Sequence, residues 1–425
     1  MSWTGLVGFA WSDYDNEVSG ALKALIGGDV GSFLAQVPAY GGSLVVRAPF
    51  AGAVAALGGG ELAVYRALAI PCLLAAALLA LVLVRRMGDR GRSTGARALV
   101  LGLCVANPVT LRALETGHPE ELLCAALAIG AVLAARDRRT VLAGVLLGLA
   151  LATKAWAVLA IGPVLLALPA RRMVVLALAG GVAATVLAPI AVAAPHAATL
   201  VVAASTTGQI FVPWQLFWML GEAGHVVIGG DGIPKPAGYR VPPEWLSPLT
   251  HPLIALLVVP LSLLWARVRG AAPRVDGEQV LALLALLLLL RCLLDPWNVV
   301  YYELPFLLAL LAWEALCRPD RPPILALAST AIVWVTFEQA PAWLSPDVQC
   351  AFFLTWSLPL AAWLARTCCV ERHGLPIQHD RPEQRARQDV AAQSGIGYGC
   401  GYFRTSCQES LRYSRCWSAR MWCSQ

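Results

Sequence analysis

The runs Leu62–Val84, Met173–Ala194 and Val280–Leu290 are long aliphatic stretches almost free of charge. In hydrocarbon only a helix or a closed barrel satisfies its own backbone groups. A helical crossing takes about 17–25 residues, and the ten-residue alternation of an outer-membrane barrel is absent from the sequence. Charged residues make up 14% of the chain, against roughly 25% in soluble domains. The sequence therefore predicts an all-α, polytopic transmembrane protein.

About eleven apolar segments are legible: 62–84, 97–113, 119–135, 140–153, 155–169, 173–194, 251–267, 279–294, 299–316, 323–338 and 348–366. Some are short for a full crossing. The pair 140–153 and 155–169 reads as a broken or re-entrant hairpin, which is tolerated where protein or water shields the backbone. The expected organisation is an outer acidic loop with interfacial helices over 1–61 and a membrane domain over 62–366 with an outer loop at 195–250. A polar, disordered cytoplasmic tail follows over 367–425.

The net charge of +6 does not describe a nucleic-acid-binding face, because the basic residues cluster in short loops between apolar runs. Arg85, Arg86, Arg90, Arg92 and Arg97 form one such loop, and Arg136, Arg138 and Arg139 a second. Arg171 with Arg172, then Arg267, Arg269 and Arg274, then Arg318 with Arg321, and Arg366 complete the series. If the segments alternate, all of these fall on one side, which the positive-inside bias makes the cytoplasm of a bacterial plasma membrane. Residues 1–61 then start on the outer side, and Met1–Ala10 carries no signal-peptide pattern. One further helix ahead of Met1 is the expectation that follows.

Of the twelve cysteines, Cys72, Cys104, Cys124 and Cys292 sit in or beside apolar runs, where a thiol acts as a small hydrophobe. No C-x-x-C pair occurs, and the tail's Cys400, Cys407, Cys416 and Cys423 have no neighbouring histidine. Neither a metal site nor a cofactor site is expected.

Polar residues at the membrane edge are costly and need a reason. In Asp13-Tyr-Asp15-Asn-Glu17 an aspartate either N-caps the helix that follows or serves as a general base at the membrane–water boundary. His118-Pro-Glu120-Glu121 opens a helix, where acidic residues complement the dipole or bind sugar hydroxyls. Lys154, between two short apolar halves, either snorkels or holds an anionic group such as a phosphate. Gly144-x-x-x-Gly148 reads as close helix packing. Arg291 and Asp295 lie one helical turn apart and read as an ion pair. Around them, beside Asn298, the residues Trp297, Tyr301 and Tyr302 suit an interfacial aromatic belt or a sugar site. Gln209, Trp214, Gln215, Trp218 and Trp245 in the long loop either cover a groove or rest on the bilayer.

Taken together, Asp13-Tyr-Asp15-Asn-Glu17, Gly117-His-Pro-Glu-Glu121 and Ala143-Gly-Val-Leu-Leu-Gly-Leu-Ala-Leu-Ala-Thr-Lys154 resemble the GT-C superfamily of membrane glycosyltransferases. Within it the chain is similar to the bacterial polyprenol-phosphate-mannose-dependent α-mannosyltransferase family, over roughly residues 11–366. The resemblance implies in-line transfer of a sugar, mannose favoured, from a polyprenyl-phosphate-linked donor to a lipid or glycan acceptor of the cell envelope. It implies Asp13, then Asp15, as the base. Glu17, His118, Glu120, Glu121, Lys154, Asp295, Asn298 and Tyr301 are the substrate-binding candidates, with Lys154 toward the lipid phosphate. His118-Pro-Glu-Glu stands where relatives often carry an Asn/Gln-type motif. The alternatives are a multi-pass transporter or lipid flippase, or a non-catalytic envelope scaffold. Transporters place ionisable residues near the midplane and often carry internal repeats; here the charges gather toward one face and no repeat between halves is visible.

Overall fold

The computed structural model describes residues 13–38, 40–168, 170–193, 210–224, 226–228, 234–236, 238–269, 279–318 and 321–369. All of these belong to one compact unit, Met1–Glu371. Met1–Ser12, Gln209, Arg274 and the tail cysteines lie outside the described residues.

Each predicted apolar segment is helical over most of its described residues. A π-helical turn at Tyr14–Val18 leads into α1, Ser19–Ile26, and α2, Val30–Gln36. Next come α3, Gly41–Ala56; α4, Glu61–Asp89; and α5, Thr94–Val105. The segment expected at 97–113 is broken in two. Pro108 lacks an N–H, and Asn107 caps a new helix, α6 (Pro108–Thr116), by accepting from Val109 N at 2.8 Å. Then follow α7, Glu120–Arg136, and α8, Thr140–Thr153; a 3₁₀ stretch at Ala155–Ala160 leads into α9, Ile161–Ala167, and α10 is Arg172–Ala193. The hairpin break expected after residue 153 is present, with Lys154 in extended backbone (φ −147°, ψ 140°). Short antiparallel strand pairs join Glu222–Ala223 to Arg240–Val241 and Val226–Ile228 to Pro234–Pro236. The last helices are α11, Thr250–Arg269; α12, Val280–Leu294; α13, Leu304–Cys317; α14, Ile324–Trp334; and α15, Pro346–Cys369.

Seven helical runs among the described residues, one of them Thr94–Thr116 taken across the break at Asn107, are long and apolar enough to cross a membrane; α3, α8, α12 and the Ala155–Ala167 run are apolar but shorter. A helix that is apolar all round is either a core helix or a lipid-facing one, and burial separates the two. The run Val300–Cys317 is 89% buried, whereas Arg172–Ala193 and Thr250–Val268 are 17% buried. The core is therefore α7, α12 and α13, and α10 and α11 present apolar surface outward.

Gly144 and Gly148 let α8 press against α10: a Cβ on either would come within 2.7 Å of atoms of Leu178, Ala179 or Val182. Gly42 likewise brings α3 onto the Ala152 carbonyl at the far end of α8. Several arginine loops meet at one end of the bundle. Arg86 pairs with Asp137, Arg90 donates to the Leu316 carbonyl at 2.6 Å, and Arg92 donates to the Arg318 and Arg321 carbonyls. Buried Glu314 accepts from Leu325 N at 3.3 Å and Ala326 N at 2.6 Å, satisfying donors at the start of α14.

Candidate functional site

The site is built on the turn between α6 and α7. Gly117 ends α6 in the left-handed region, φ 100°, with its N–H on the Ala113 carbonyl. A Cβ there would lie 2.7 Å from Tyr14 N and 2.9 Å from Tyr14 Cβ, so only glycine lets the acidic segment approach. Tyr14 is buried against Tyr65, whose hydroxyl donates to the Leu114 carbonyl. The N-terminal acidic motif is thereby seated directly beside His118.

His118 Nδ1 lies 2.8 Å from Glu120 Oε1, and Nε2 lies 3.1 Å from Asp13 Oδ2. Both ring nitrogens thus face carboxylates, a geometry that suits the doubly protonated imidazolium. Burial works against that charge, but the Glu120 carboxylate and the Asp13 hydrogen bond outweigh it and raise the His118 pKa to about 9. The ring is stacked on Tyr301 at 4.5 Å between centroids, and the Tyr40 ring meets it edge-on at 5.8 Å. Tyr301 also reaches Asp13, its hydroxyl 3.4 Å from Oδ2.

Glu120 and Glu121 are fully buried in the first turn of α7, where the helix dipole favours acids. Each is compensated by cations from other elements. Lys154 Nζ is 3.1 Å from Glu120 and 3.3 Å from Glu121, and it sits 4.1 Å from the centroid of the Tyr40 ring. Arg47, on α3, is 3.2 Å from Glu120 and is tied to Ser43 through its hydroxyl and carbonyl. Glu121 accepts from Trp156 Nε1 at 2.8 Å and lies 3.9 Å from Arg291, whose guanidinium packs over the Trp156 and Tyr302 rings. The result is one connected network: Asp13, His118, Glu120 and Glu121, with Arg47, Lys154 and Arg291 as counter-charges.

Several sequence-predicted residues therefore meet: Asp13, His118, Glu120, Glu121, Lys154 and Tyr301. Glu17 joins at the rim by accepting from the Tyr40 hydroxyl. Asp15 is exposed, and its backbone carbonyl accepts from the Ser19 hydroxyl. Asp295 and Asn298 form a neighbouring polar knot. Asp295 accepts from Trp297 N at 3.0 Å and lies 3.9 Å from His251, and Asn298 donates to Trp214 O at 2.9 Å and Glu303 at 3.1 Å. The ion pair expected between Arg291 and Asp295 is not formed. Arg291 instead lies 3.9 Å from Glu121 and donates to the Tyr302 carbonyl at 3.3 Å.

Arg47 and Tyr40 were missed in the sequence. The available signal was an arginine inside the apolar run Gly41–Ala56, one turn after Ser43. In the long loop, Trp218 donates to Asp347 at 2.8 Å and Arg240 pairs with Asp347 at 2.9 Å, so this part of it is tied to α15. Trp214 packs on Phe337, while Trp245 is exposed. Among the described residues no group of three His, Cys, Asp or Glu side chains is arranged to hold a metal ion.

Because the imidazolium is favoured in the folded protein, its contribution to seating Asp13 is complete below about pH 6.5 and is lost as pH rises through about 9. The thermal stability of the purified protein should fall over that window, and His118→Asn should remove the fall. An unchanged alkaline loss in His118→Asn would assign it to another group.

Residues 39–171 match the family model described as Alpha-(1->6)-mannopyranosyltransferase, N-terminal domain, of the MptA_B family. The matched region carries Arg47, His118, Glu120, Glu121 and Lys154, whereas Asp13 lies ahead of it and Arg291 beyond it. No curated protein and no solved structure matches the chain.

Proposed function

We propose that this chain is an α-mannosyltransferase that takes mannose from a polyprenyl-phosphate donor and passes it to a hydroxyl of an envelope lipid or glycan, with Asp13 as general base. The observation that carries the reading is the docking of Asp13 onto His118, at the edge of a buried charge network most of which lies in the matched region. In the reaction the acceptor oxygen bonds to the sugar's anomeric carbon while the carbon–oxygen bond to phosphate breaks. The acceptor's proton goes to Asp13 and the electron pair leaves on the phosphate. Asp13 suits this task because its side chain is 35% exposed, so an acceptor can reach it, while His118 and Tyr301 hold Oδ2 in place.

His118 takes a different role from the sugar-binding one expected. Both its nitrogens are committed to carboxylates and one ring face is covered by Tyr301, so nothing remains to grip a hydroxyl. It acts on Asp13 as a positioning residue. Lys154 and Arg291 both lie against Glu121 and together supply the positive charge that receives the leaving phosphate. Lys154 also serves as a counter-charge to buried Glu120 and Glu121. The active face is the outer one, opposite the arginine loops, in the bacterial plasma membrane.

The donor class is tested by offering membranes that contain the full chain labelled mannose either on polyprenyl phosphate or on a nucleoside diphosphate. The reading expects transfer from the lipid donor alone. Transfer from the nucleotide sugar in the absence of any lipid carrier would overturn it.

A further inference from the structure

We infer that the opposite end of α8 carries a separate binding site for an anionic phospholipid, formed by Arg138, Arg139 and Arg171 with an apolar strip beneath them. These arginines line an open groove of about 510 Å³ with Val141, Leu142 and Val145. The groove lies at the start of α8, whose first residue is Thr140, and Lys154 follows the last residue of α8. A helix of that length spans about 20 Å, so the groove is distinct from the Asp13 network.

Three observations point to a phosphate-bearing lipid. First, Arg138, Arg139 and Arg171 are exposed, and among the described residues none is paired with a carboxylate; nearby Asp137 is engaged by Arg86 and Arg136. Second, Arg138 and Arg171 both adopt left-handed backbone, φ 59° and 60°, and they are the non-glycine residues that do so among the described ones. Glycine or asparagine is the unstrained choice at such a position, so backbone need does not explain the arginines, whereas a need for their charge does. Third, Val141 is 64% exposed and Leu142 43%, so an apolar surface runs from the guanidinium groups along α8. A headgroup phosphate at the arginines with an acyl chain along this strip satisfies both chemistries at once. A bound lipid would also bridge the loops that begin α8 and α10, the pair that Gly144 and Gly148 hold in close contact.

The test uses the full-length protein purified in a neutral detergent, with phosphatidylglycerol, phosphatidylcholine and inorganic phosphate compared by native mass spectrometry. The inference expects retention of phosphatidylglycerol and neither of the others. Each arginine removed, as Arg138→Gly, Arg139→Gln or Arg171→Gly, should weaken it about fivefold. The two glycine substitutions relieve the left-handed backbone, so the thermal midpoint should not fall and lost binding is not lost folding. The triple Arg85→Gln, Arg267→Gln, Arg366→Gln removes as much charge elsewhere and should leave retention intact. Equal loss in that control, or equal retention of phosphatidylcholine or free phosphate, would overturn the site.

Discussion

Asp13→Asn should reduce mannosyl transfer about 10²–10⁴-fold, the range expected when a positioned base is removed, while leaving expression and the thermal midpoint close to those of the unaltered protein. The asparagine amide keeps the size of the carboxyl group and can still meet Tyr301, but it cannot take the acceptor's proton. Asp15→Asn, two residues on, should change transfer little, because Asp15 is exposed and its contact runs through the backbone. The pair of variants separates a specific base from a generally acidic loop. Equal losses would mean that the loop's charge matters and not the seat on His118. A further check comes from His118→Asn. If His118 positions Asp13, the variant should lower the turnover rate with little change in the Michaelis constant for the donor. A raised Michaelis constant alone would return it to a substrate-binding role.

The second large effect concerns folding. Glu120→Ala should destabilise the protein by about 3–5 kcal/mol, the usual penalty for leaving a buried charge without its partner. Glu120 lies within 3.2 Å of Arg47, Lys154 and His118, and all three are buried or nearly so. Removing it takes from buried Arg47 its carboxylate among the described residues and leaves Lys154 with Glu121 alone and His118 with Asp13 alone. Thermal unfolding in detergent reads the effect. Arg47→Leu introduced beside Glu120→Ala should restore part of the loss, since the charge left without its carboxylate goes with it; a strictly additive double variant would show that the two residues are uncoupled. The same logic makes Lys154 a residue with two jobs. Lys154→Ala should lower both stability and transfer, so the conservative Lys154→Arg is the more informative variant: it keeps the charge while altering the shape offered to phosphate.

The helices were legible because apolar length is a one-dimensional signal. Their places in the bundle were not. Val280–Leu294 and Arg172–Ala193 read alike in sequence, yet one is core and the other faces outward, because a helix that is apolar all round shows no preferred side. The break at Asn107-Pro108 is legible from the missing proline N–H and the asparagine cap, and from the charged residues Arg112 and Glu115 that follow it.

In the site, the charged residues stood out against an apolar background, which is why Asp13, His118, Glu120, Glu121 and Lys154 were found. Their pairing was hidden, since it depends on which helices touch. Arg47 is the clearest case: its partner Glu120 is far along the chain, at the start of α7, and only the tertiary packing of α3 brings the two together. Arg291 shows the opposite error. Its neighbour in sequence, Asp295, offered a local pair, but Arg291 lies instead by a buried glutamate from another helix. Local spacing is a fair guide on an exposed helix and a poor one where several buried charges compete.

The most direct test of the account is a structure of the full chain with polyprenyl phosphate bound in a lipid nanodisc. The account predicts the phosphate against Lys154 and Arg291, with the Asp13 carboxylate facing the side from which an acceptor reaches the sugar carbon. A phosphate bound elsewhere, with the Asp13–His118–Glu120 network closed off from it, would contradict the account.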